Sequence, residues 1–215
     1  LFDSCLEKSS SVSAGERPYY NIILLARNYK GYQNLVTLAS KAFTEGLYHK
    51  PRIDLELLAS HREGLIGLSG GLMGPIGHFL ASGNEDRALE NAKLLEDTLG
   101  KGSFFLEISE GYDETRTQLV PSTVGLSKKA NIALVATNDV HYLLPEDAGA
   151  QELLLCINDG RTLFDTGRKP DATRYLRSAD EMWQIFGNEM PESLQNTVKI
   201  AEMCDVEIPQ GDDVI

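Results

Sequence analysis

Four short apolar runs, separated by longer stretches with helical spacing, limit what this chain can become. The runs are 20–26 (YNIILLA), 64–69 (GLIGLS), 103–108 (SFFLEI) and 132–136 (IALVA). Near-continuous apolar character over strand length is the mark of strands covered on both faces of a sheet. Between them, Leu35, Leu38, Ala39 and Ala42 recur at helical spacing, and so do Leu89, Ala92, Leu95 and Leu99. Strand and helix in steady alternation predict an α/β fold with a parallel sheet and outer helices, as a barrel or an open sheet.

Local signals place the remaining elements. Asp54 is positioned to cap a short helix, and Pro75 to open one over 75–80 after Gly74. A turn over 28–31 leads into a helix over 32–43, and another helix spans 84–99. Residues 114–130 read as helical, although Pro121 should kink or restart them. A helix over 145–157, a loop over 158–173, a short strand at 174–176 and helices over 179–186 and 191–205 complete the chain. Residues 1–19 read as a lead-in or half of a hairpin, 20–208 as one domain, and 209–215 as a linker. A chain that opens at Leu1 without a methionine reads as a piece of something longer.

Charge and cysteine usage exclude some roles. The 215 residues carry a net charge of −12, which repels a phosphate backbone, so direct nucleic-acid binding is not expected. The basic pairs Lys128–Lys129 and Arg168–Lys169 read as solvated surface. Cys5, Cys156 and Cys204 are scattered with no C-x-x-C pair, which points to a reducing, cytoplasmic setting. No apolar run reaches membrane-spanning length. Cys156 and Cys204 lie on apolar helix faces and read as core thiols. Trp183, with Met182, Ile185 and Phe186, reads first as core packing and second as a partner patch.

The candidate site follows the fourth run. Alternation along an extended backbone puts Asp139 and His141 on one side, at the carboxyl end of a strand, where α/β folds place their chemistry. Taken alone, the same pair reads first as a turn cap at Asp139 beside a partly buried, hydrogen-bonded His141. His49 reads as a loop residue, and His61 and His78 as surface residues. Gly70, Gly71 and Gly74 could cradle a phosphate ahead of the helix at 75, though no G-x-x-x-x-G-K fingerprint supports it.

The runs FTEGLYHKPRID, EGLIGLSGGLMGPIG, FFLEI, ALVATNDVHYL, LLCINDGRTL, RYLRSADEM and PESLQNTVKIAEMCDVEI occur in this order. From about residue 20 to 208 they resemble the PHP (polymerase and histidinol phosphatase) domain of bacterial DNA polymerase III alpha subunits. The spacing of KPRID and the last helix is less similar to free-standing histidinol-phosphate-type phosphatases. The resemblance implies a distorted (β/α)7 barrel-like fold, incomplete at the N-terminus because the family's first His-x-His motif would lie upstream of Leu1. The polymerase's catalytic aspartates would lie downstream, so no catalytic residue is expected in this segment.

Metal-bearing members of the family use His, Asp, Glu and sometimes Cys ligands, and Asp139 and His141 match its last motif. A cysteine ligand is replaced here by Gly71, and a histidine ligand would stand near Glu110 or Gly111. The resemblance thus implies a remnant metal pair, Asp139 and His141, with no cofactor. Its implied role is that of a structural domain that docks a proofreading exonuclease subunit and joins the remainder of the polymerase alpha chain. The alternative it leaves is an active phosphoesterase or 3′–5′ exonuclease using divalent Zn, Mn or Mg.

Overall fold

A computed structural model of the chain describes residues 19–48, 50–110, 114–166 and 171–209. The lead-in over 1–18, Cys5, His49, Gly111, Arg168 and Lys169 lie outside the described residues.

Strand β1 (Ile23–Ala26) is followed by helices α1 (Tyr29–Thr44) and α2 (Leu55–Ser60), then strand β2 (Leu65–Leu68). A 3-10 turn (Gly71–Met73) leads to α3 (Pro75–Ala81), α4 (Glu85–Leu99), strand β3 (Phe104–Ser109), α5 (Glu114–Ala130) and strand β4 (Leu134–Thr137). After a second 3-10 turn (Pro145–Asp147) come α6 (Ala148–Asp159), α7 (Leu163–Thr166), α8 (Ala179–Phe186) and α9 (Pro191–Met203). Helix α1 begins earlier than its apolar spacing suggests because Asn28 caps it, its side-chain oxygen accepting from Gly31 N at 3.0 Å. Asp54 caps α2 as expected, accepting from Leu57 N at 2.7 Å.

The strands form an α/β sheet in the order β1-β2-β3-β4, consistent with a PHP fold. One expectation needs correction. The sheet is not wholly parallel: β2, β3 and β4 run together, but β1 is antiparallel to β2. The cause is the connection. Helix α1 carries the chain away and the loop with α2 brings it back, so β2 starts beside the end of β1, where Arg27 N donates to Gly64 O at 2.8 Å. The four strands form an open sheet among the described residues, as a distorted, incomplete barrel-like fold allows. The expected strand at 174–176 is a single parallel bridge between Tyr142 and Tyr175.

Helix α5 runs through Pro121 without restarting. It lies against α3, α4 and β3, and that packing sustains the helix on both sides of the lost hydrogen bond. On one side of the sheet, Leu65, Phe104 and Leu106 join Leu38, Leu58, Phe79, Leu95 and Leu99 in the main core. On the other, Ile66, Leu68, Phe105 and Val135 pack with Ile200 of α9. Helix α9 also finishes the sheet's last edge: Asn196 Nδ2 donates to Leu134 O at 2.8 Å and Thr197 Oγ1 to Ala136 O at 3.1 Å.

Candidate functional site

Strand β4 ends at Thr137, so Asp139 and His141 are not strand neighbours. Asp139 adopts a left-handed backbone (φ 49°), a conformation aspartate tolerates better than most residues. That turn, rather than alternation, brings the two side chains together. The His141 ring places Nδ1 2.6 Å from Asp139 O and 3.9 Å from Asp139 Oδ1. The other ring nitrogen, Nε2, lies 3.0 Å from a guanidinium nitrogen of Arg174, which is 3.6 Å from Asp139 Oδ2. An arginine therefore stands between the carboxylate and the imidazole.

Arg174 is held in place from behind. Its Nε donates to Asp171 Oδ2 at 3.0 Å, and Asp171 also accepts from Thr173 N and Oγ1 at 3.0 and 2.6 Å. Burial opposes ionisation of Asp171, but these donors outweigh it and hold its carboxyl below the usual range. The backbone is laced as well: His141 N donates to Arg174 O at 2.9 Å and Leu176 N to Tyr142 O at 3.1 Å. Three residues on, Arg177 donates to Asn138 Oδ1 at 2.7 Å and pairs with Glu110. The segment 174–177, RYLR, thus clamps the loop that carries the candidate pair.

Glu107 is the site residue that sequence reasoning missed. Its side chain lines a pocket of about 190 Å³ with Gly70, Gly71, Asp139 and Thr123 among its walls. Thr137 Oγ1 donates to Oε1 at 2.6 Å, while Oε2 is buried with no hydrogen-bond partner. Burial raises its pKa; the Thr137 hydroxyl opposes the rise, and the charge of Asp139 adds to it. The amides of Gly70 and Gly71, in the turn read as a phosphate cradle, lie close enough to this carboxyl group to moderate the rise, though neither reaches hydrogen-bonding geometry with Oε2. The available signal was a lone acid inside an otherwise apolar strand.

This gives a pH prediction. Between the ordinary glutamate value of 4.5 and the raised folded value, the unfolded chain has released a proton that folded Glu107 still holds. Its contribution to stability therefore falls as pH rises from that value through the raised folded pKa. Glu107→Gln removes the penalty, so urea denaturation should show the variant gaining on the parent at pH 8 relative to pH 4. An equal difference at both values would refute the assignment.

The other candidates disperse. His61 ends α2 half-buried, with Nδ1 3.0 Å from Leu57 O. His78 is not a free surface residue, because it packs between the rings of Tyr20 and Phe79. Cys156 is buried as expected, whereas Cys204 is the half-buried residue just past α9, its thiol pKa pushed up by burial. Phe186 is buried, but Trp183 is half exposed and is not a core residue. Lys129 pairs with Glu85. Arg52 of KPRID is buried, with its guanidinium over the Tyr48 ring at 4.9 Å, which makes that motif an anchor for the loop before α2. Among the described residues, no three His, Cys, Asp or Glu side chains are grouped to hold a metal ion.

Comparison with known proteins places this arrangement. Residues 7–111 match the family model described as the PHP domain. The chain is 44% identical over 197 residues to the DNA polymerase III subunit alpha of Treponema pallidum, covering 90% of this chain and 17% of that protein. It is 41% identical over 202 residues to the Thermus aquaticus subunit, covering 92% of this chain and 16% of the relative. Against the Helicobacter pylori subunit it is 34% identical over 205 residues, covering 90% and 17%. The chain thus spans about a sixth of the length of these relatives. With the order of its motifs and its α/β sheet, it belongs to the PHP-domain family, in the form that DNA polymerase III alpha subunits carry.

Proposed function

We propose that this segment serves DNA replication as a catalytically inactive scaffold within a polymerase alpha chain, and that it docks a proofreading exonuclease subunit. The observation that carries the reading is Arg174. A guanidinium 3.0 Å from His141 and 3.6 Å from Asp139 supplies the positive charge the pair would otherwise seek from a metal. It also keeps His141 Nε2 engaged, and a metal ligand needs that lone pair free.

The residues do not fit the metal cluster that the family implies. Glycine at 71 offers no donor, although a Cβ there would meet nothing within 4 Å, so the space exists and the ligand does not. Glu110 is turned to Arg177. Glu107 gives one oxygen to the Thr137 hydroxyl, and burial raises its pKa, which opposes the ionised form that a carboxylate ligand needs. A polymerase role rests on the relatives' printed names. Among the described residues no helix is long and apolar enough to cross a membrane.

The test uses the full-length polymerase chain. Elemental analysis should find no stoichiometric Zn, Mn or Mg in this domain, and a phosphodiesterase assay with added manganese should find no hydrolysis. Asp139→Ala should then shift stability by at most about 2 kcal/mol, and co-elution with the exonuclease subunit should require the domain. Stoichiometric metal together with hydrolysis that Asp139→Ala abolishes would replace this reading with the phosphoesterase one.

A further inference from the structure

Helix α6 turns an apolar face to solvent. Ala148, Glu152 and Cys156, one per turn, form the stripe it buries. Leu153, Leu154 and Ile157 face outward, Leu154 and Ile157 with 61% and 68% of their surface exposed. The helix's neighbours continue the surface. Helix α6 lies against both α7 and the 3-10 turn before it. Phe164 of α7 is 99% exposed, and Leu143, just ahead of that turn, is exposed as well. Among the described residues nothing covers this ridge, and solitary exposed apolar residues are ordinary while a continuous group of them marks an interface.

We infer that the α6–α7 ridge is a permanent interface covered by a later part of the same polymerase polypeptide, and is not the docking site of the exchangeable exonuclease subunit. Two observations choose this occupant. The relatives aligned with nine-tenths of this chain are about six times as long as the matched part, so a large body of polypeptide accompanies this domain in them. The ridge also has the composition of a core cut in half, joining Leu143, Leu153, Leu154, Ile157 and Phe164. Permanent interfaces have that character, whereas exchangeable ones stay about as polar as ordinary surface. The inference rests on the reading that the segment works inside a polymerase alpha chain, and is independent of whether its site is active.

The photoreactive amino acid p-benzoylphenylalanine, placed at Phe164 or at Ile157 in the full-length alpha chain, tests it. At Phe164 it replaces one exposed aromatic ring by another, and Ile157 gives a second position should the first disturb folding. A probe at the exposed Lys101 is the control. After irradiation, with and without the exonuclease subunit, mass spectrometry should find links from the ridge to downstream peptides of the same chain. Their yield should exceed the Lys101 control and be unchanged by added exonuclease. Links to the exonuclease, links to a second copy of the chain, or yields no higher than the control would each overturn the inference. A domain that bound metal and hydrolysed phosphodiesters, yet gave the same intrachain links, would sink the scaffold reading alone.

Discussion

Gly74→Ala is expected to destabilise the chain by roughly 4 kcal/mol or more, the scale reached only by severe packing faults. The backbone angles of Gly74 (φ −80°, ψ 166°) are open to any residue, and alanine in such a position would ordinarily stabilise by about 0.4–1 kcal/mol. Contact reverses the sign. A Cβ at 74 would lie 1.8 Å from Ser69 O and 2.9 Å from Ser69 C, both backbone atoms with no rotamer to retreat into. Ser69 is itself pinned: its N donates to Phe105 O at 3.1 Å and its Oγ accepts from Glu107 N at 2.9 Å. Relief must therefore come from moving the loop off β3. For a chain of this size the melting temperature should fall by roughly 8–16 °C, read by circular dichroism. Gly71→Ala is the control: its Cβ meets nothing, so only the left-handed backbone (φ 52°) is penalised, at about 1–2 kcal/mol. Equal effects of the two substitutions would refute the argument.

Phe104→Ala should cost about 3–5 kcal/mol, the range for emptying an aromatic site in a packed core. Phe104 is 1% exposed and stands in register with Gly67 of the neighbouring strand. A Cβ on Gly67 would come within 2.3 Å of Leu99 and 3.3 Å of Phe104, so this small residue makes the room that the two larger ones occupy. Loss of the ring leaves a void that neither strand can close without disturbing the ladder. Urea denaturation should show a lower midpoint with an unchanged slope. By contrast, Ile23→Ala on the exposed side of β1 should cost under about 1 kcal/mol, as surface changes do. A Phe104→Ala variant as stable as the Ile23 one would mean that the main core is not centred on this residue.

The elements that local chemistry dictates were legible in the sequence. Short apolar runs gave the four strands, and Asp54, Pro75 and the glycines after Leu99 marked helix boundaries. What depends on distant parts was not. The direction of β1 follows from how far α1 and α2 carry the chain, which no window of residues reveals. Seven strands came from a family likeness, and the described residues form four. Asp139 and His141 do meet, but through a left-handed turn that alternation does not foresee. Arg174 lies 33 residues from His141 in sequence, in a segment whose pattern reads only as loop and weak strand. Glu107 was hidden because its strand reads as uniformly buried, and one acid does not break an apolar run.

The side chains of α9 that bond β4 bear on how such chains behave when concentrated. A bare sheet edge is a template: its unpaired carbonyls recruit the next strand, and each recruit offers the same invitation again. Here Asn196 and Thr197 already occupy the outward carbonyls of Leu134 and Ala136. Cross-β growth cannot start from that edge until α9 peels away, so crowding can press these molecules together there only through side chains, which do not propagate into fibres.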